Sequence, residues 1–98
     1  MILTPEDAAS MTAKRVAQYP VGTVIIVTQH AGGCTTVEMS AKGRTSWLTR
    51  DIIADSRTCG VDMWCDLEVS DSERMIAHSI RCKYTVSVQV FTPDLTET

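Results

Sequence analysis

Apolar positions recur along this chain with two different periods, and the switch between them marks the elements. From Pro5 to Tyr19, Ala8, Met11, Thr12, Arg15, Val16 and Tyr19 follow at three- and four-residue spacing, a thin apolar stripe that predicts one amphipathic helix. Thr4 suits its N-cap and Pro5 its first position. Glu6 and Asp7 place negative charge against the positive helix end, and Pro20 stops it. The run Thr23-Val24-Ile25-Ile26-Val27-Thr28, within Gly22 to Gln29, is β-branched and short, as expected of a central strand covered on both faces. His30-Ala31-Gly32-Gly33 turns the chain into a weaker strand from Cys34 to Ser40, so the pair reads as an antiparallel hairpin with a longer loop. After the break at 41–44, Leu48 and Ile52 stand four apart with Trp47 and Ile53 beside them. That predicts a short helix within 47–57 that caps an edge or the opposite face, with Gly60 just past its end; the alternative is a strand-like Ser46-Trp47-Leu48 followed by one helical turn.

The strictest alternation comes next. Val61, Met63, Cys65, Leu67 and Val69 interleave with Asp62, Trp64, Asp66, Glu68 and Ser70, which predicts a strand with one apolar and one acidic face. After Ser70-Asp71-Ser72-Glu73 a second alternation runs from Ile76 to Val90. A strand over 74–91 would return beside the first, pairing Leu67 with Ile76, Cys65 with His78 and Asp62 with Arg81. A rival reading exists because Ser70 and Glu73 have capping-box spacing, which would make 71–81 a helix. The longer alternation favours the strand. The fold expected is α+β: an antiparallel sheet of about four strands, the N-terminal helix packed on one face, and a short second helix. A chain of 98 residues supports one compact domain, taken as 1–91, with 92–98 a polar tail.

Composition narrows function by exclusion. The net charge of −3 and pI near 5.2 disfavour direct binding to nucleic acid, which needs a basic face. No apolar run reaches the roughly 18 residues of a membrane helix, and the first residues lack the pattern of a signal peptide. Four cysteines without a CxxC pair then point to reduced thiols and a cytoplasmic location, the host cytoplasm if a bacteriophage encodes the chain.

Three chemistries deserve weighing. His30-x3-Cys34 and His78-x3-Cys82 share a spacing that ligates metal on a helix, but residues four apart on a strand lie roughly 13 Å from each other. A metal- or ligand-binding module using Cys34, Cys59, Cys65, Cys82 and the two histidines is therefore the alternative, and cysteines packed as small hydrophobes the plainer one. Cys65 beside His78 would make a nucleophile pair, yet an inward strand position gives substrate no access. Asp66 and Glu68, about 7 Å apart, have the separation of paired catalytic carboxylates but no cleft wall. No catalytic residue and no cofactor is expected.

Charge placement is more telling. Between Asp51 and Glu73 lie seven carboxylates and one basic residue, Arg57. Trp64 sits in the middle of the acidic strand, where it either faces solvent as a binding anchor or is covered by the preceding segment. The expectation is a small acidic, non-enzymatic binding protein. Its partner surface would be Asp62, Trp64, Asp66, Glu68, Asp71 and Glu73. The partner would be a larger protein or nucleoprotein complex with a basic surface, reached without direct contact to nucleic acid or membrane. Small acidic inhibitors encoded by bacteriophages act in this way on defence complexes, an analogy of size and charge alone.

Overall fold

A computed structural model describes residues 1–44, 46–54 and 62–93, of which Cys34, 51–54 and 62–71 are described by their backbone only. The protein is α+β. Its elements are α1 (Pro5–Ala9), α2 (Ala13–Ala17), β1 (Val24–Ala31), β2 (Cys34–Lys42), β3 (Ser46–Ala54), β4 (Asp62–Glu68), α3 (Val69–Arg81) and β5 (Thr85–Phe91). Among the described residues five strands form a single sheet in the order β4-β3-β2-β1-β5, with every neighbouring pair antiparallel. The two edge strands β4 and β5 therefore run parallel, and α3 connects them by crossing one face of the sheet.

The expected N-terminal helix is two short ones. Thr4 caps α1, its hydroxyl accepting from the Asp7 N–H at 3.2 Å, and Thr12 caps α2 through the Arg15 N–H at 3.2 Å. Between them the Ser10 hydroxyl donates to the Asp7 carbonyl, a local bond that competes with helix continuation. The break lets Met11 turn fully into the core. At the far end of α2, Lys42 donates to the carbonyls of Ala17 (2.7 Å) and Tyr19 (2.6 Å), supplying donors that the helix lacks there.

The β1–β2 hairpin is tighter than its sequence implied. Ala31 pairs with Cys34, so only Gly32 and Gly33 form the turn, at φ +60° and +80°. Two consecutive positive φ values match the twist of the flanking strands and need glycine.

Two expectations fail, both because a four-residue repeat satisfies the helical and the extended period alike. Leu48 and Ile52 lie on strand β3, which pairs with β2, so no helix occupies 46–54. The remainder of the expected helix, like Gly60 and the tail beyond Pro93, lies outside the described residues. Conversely Ile76 and Ile80 lie on α3, so the strand expected over 74–91 is helix as far as Arg81 and strand only from Thr85. On α3 the buried positions are Ser72, Glu73, Ile76, Ala77 and Ile80, a single stripe at helical spacing, while His78 is exposed. The hairpin register across 70–73 is therefore not formed, and β4 pairs with β3 instead.

The core lies between the sheet and the helices. Ile25 and Val27 of β1, Val88 and Val90 of β5 and Trp47 of β3 meet Ile76, Ala77 and Ile80 of α3, with Met11 and Val16 filling the N-terminal side. Both α1 and α2 pack against α3. Strand β1, expected to be covered twice, is buried on one face and only half-buried on the other, at Val24 and Ile26.

Candidate functional site

Sheet register sorts every strand residue onto one of two faces. One set runs Val90, Ile25, Ser40, Thr49, Cys65 across the five strands, with Trp47 two residues from Thr49 on β3. Its described members are buried, so this is the face beneath α3. The other set forms three cross-strand rows. The first is Phe91, Val24, Ala41, Leu48, Asp66; the second Gln89, Ile26, Met39, Arg50, Trp64; the third Ser87, Thr28, Val37, Ile52, Asp62. Leu48 is 44% exposed and Phe91 49%, while Trp47, next to Leu48 in sequence, is 1% exposed. Among the described residues no helix lies on these rows. The result is an open sheet face, aliphatic in its middle and bordered by carboxylate positions along β4.

Four of the six residues expected to bind a partner keep their shared placement. Asp62, Trp64, Asp66 and Glu68 pair with Ile52, Arg50, Leu48 and Ser46, all on the open face, and Met63, Cys65 and Leu67 alternate onto the covered one. The alternation in β4 thus sorts its residues as expected, although the strand beside it is β3. Asp71 and Glu73 do not join them, because both belong to α3. Glu73 is 7% exposed and accepts from the Ser72 hydroxyl at 3.3 Å, so it is a buried carboxylate on the opposite side of the sheet. A helix in place of a hairpin takes both out of the β4 row.

The remaining candidates are also separated. Cys65 pairs with Thr49 on β3, not with His78, which lies exposed on α3. His30 sits near the hairpin tip with its Nδ1 3.1 Å from the Thr35 hydroxyl. Cys82 is a free, half-buried thiol just beyond α3. Among the described residues no group of three or more His, Cys, Asp or Glu side chains could share a metal ion. No helix among them is long and apolar enough to cross a membrane.

The apolar middle of the face was missed from sequence, although Val37, Met39 and Ala41 on β2 carry a two-residue period; on β3 Arg50 interrupts it between Leu48 and Ile52. Beneath it, the covered side holds its own polar features. The Ser40 and Thr49 hydroxyls bond to each other at 3.3 Å. Trp47 keeps its indole N–H buried without a partner, with the Lys42 ammonium 5.8 Å from its ring centre. Tyr19, packed against this core, has its phenol pushed above the ordinary 10.0, chiefly by burial. No known protein family, curated protein or solved structure matches the chain.

Proposed function

We propose that this protein is a non-enzymatic binding module that docks through its open sheet face onto a larger protein whose surface is basic around an apolar strip. Strand and row spacings give the face on the order of 400 Å². Two such faces together would bury less than a standard interface, which sets the reading toward a few anchors and electrostatic steering rather than sheer area. The anchors are Leu48, Met39 and Trp64, and the steering comes from Asp62, Asp66 and Glu68. Self-pairing of the face is disfavoured by the same carboxylate border. A basic surface of this type is what nucleic-acid-handling complexes present, and occupying it would make the protein an inhibitor of such a complex. The observation that carries the reading is the combination of apolar rows with no helix across them among the described residues and acidic positions along one strand.

Affinity capture at low and high salt tests it. Leu48→Glu and Asp66→Lys should each abolish capture of the partner, and the native interaction should weaken steeply with salt. Met75→Glu, on the exposed side of α3, should leave capture intact. Equal capture by all three variants would overturn the proposed face.

A further inference from the structure

On the other side of the molecule, the last turn of α3 separates two hollows. Arg81 lines both. Its Nε donates to the Ala77 carbonyl at 3.3 Å, which lays the side chain back along the helix and leaves its terminal nitrogens available for other acceptors. The first hollow, a cavity of about 210 Å³, lies between Leu3, α1 and β5, with Ile80 and Val88 among its walls. The small side chains of Ala8 and Ala9 are what leave it unfilled. The second, about 400 Å³ and more open, lies along Arg74, Met75, His78 and Ser79. Lys83 follows immediately, its ammonium 5.1 Å from the Tyr84 ring.

The adjoining edge of β5 is covered from Val88 to Val90. The Leu3 N–H donates to the Val88 carbonyl at 2.9 Å and the Val90 N–H to the Met1 carbonyl at 2.7 Å, so the first three residues cover that edge. Where this cover ends, a register shift at Thr28/Gln29 breaks the ladder. Over Val88–Val90 a guest therefore enters by its side chains and not by extending the sheet.

We propose that the two hollows form one groove for a short acidic peptide segment of a partner protein. One branched aliphatic side chain would enter the cavity under α1, and a carboxylate one or two residues further on would meet Arg81, with His78 beside it. Direction follows from charge. Glu6 and Asp7 stand in the first turn of α1, the helix whose Pro5, Ala8 and Ala9 line the cavity, while Arg74, His78 and Arg81 line the second hollow, so the carboxylates lie toward α3. A nucleic acid fits less well, because positions 74 to 81 span only about 10 Å of helix. Useful affinity for a polyanion needs many phosphate contacts, and the chain carries net negative charge. This groove lies across the sheet from the face proposed above and does not depend on it.

The test is an NMR titration of the isotope-labelled full chain with a blocked peptide containing Leu-Glu-Glu, with Leu-Gln-Gln, with Ala-Glu-Glu, and with a single-stranded oligonucleotide. Saturable shifts at Ala8, Ile80, Arg81 and Val88 are expected with the first peptide only. Arg81→Gln should weaken it about tenfold, the size of one charge-assisted hydrogen bond. Ala9→Leu, which narrows the cavity from an exposed helix position, should abolish it, and Lys14→Ala on the exposed side of α2 should not. No saturation at millimolar peptide, equal binding of Leu-Gln-Gln, shifts confined to the sheet's open face, or tighter binding of the oligonucleotide would each overturn the proposal.

Discussion

Trp47 and Leu48 are neighbours on one strand, yet one is sealed beneath α3 and the other stands in the open. The two faces of this sheet are built from the same strands and similar residue types, and differ in what lies across from them. One face packs Ile25, Val27, Val88 and Val90 against a helix. The other spreads Ile26, Met39, Leu48 and Phe91 with no helix opposite among the described residues. Burial by a second layer is what turns an apolar strand face into stability. The other face, with no such layer among the described residues, is where the proposed docking would take place.

The contrast is sharpest at those two residues. Trp47→Ala should cost about 4 kcal/mol in urea unfolding, the scale for emptying a large buried aromatic site. Leu48→Ala should stay within about 0.5 kcal/mol. Comparable losses would mean that both faces are covered. A second pair separates helix from strand over 69–81. Ile76→Ala should cost about 3 kcal/mol and His78→Ala almost nothing, because on a helix only the first faces the core. A continuous strand would turn both side chains inward and make both substitutions costly.

Smaller effects probe the polar parts of the covered side. Ser40→Ala removes the partner of a buried Thr49 hydroxyl and should cost about 1 kcal/mol, with the Ser40→Ala/Thr49→Val pair losing less than the two changes summed. The weakest expected signal is from Tyr19. Its raised phenol pKa means that the folded chain holds this proton more tightly than the unfolded chain. Its contribution is fully present below about pH 10 and is lost as pH rises through the folded value, a decline that Tyr19→Phe should flatten. Denaturant midpoints measured in steps through that range provide the check.

Local chemistry made some of this structure legible. Thr4 with Pro5 announced a helix start, Gly32-Gly33 a turn, and the strict alternation of 62–68 a strand with an acidic side. What sequence could not resolve was choice of partner and choice of period. Ile76 with Ile80, and Leu48 with Ile52, satisfy a two-residue and a four-residue repeat equally. Tertiary packing decides between them: α3 is needed to cover Ile25 and Val27, and β3 to pair both β2 and β4. The site was half legible for the same reason. Asp62, Trp64, Asp66 and Glu68 share a face because β4 is a strand. Asp71 and Glu73 leave it because the chain turns helical directly after Glu68. The aliphatic rows escaped notice because β1 looked like a strand covered twice.

Hydroxyl-radical footprinting of the isolated full chain, read residue by residue by mass spectrometry, tests the two-sidedness most directly. Met39, Leu48 and Phe91 should be labelled readily while Met11, Trp47 and Ile76 stay protected. Protection of Met39 and Leu48 to the level of Met11 would show a second layer over the sheet and contradict the account.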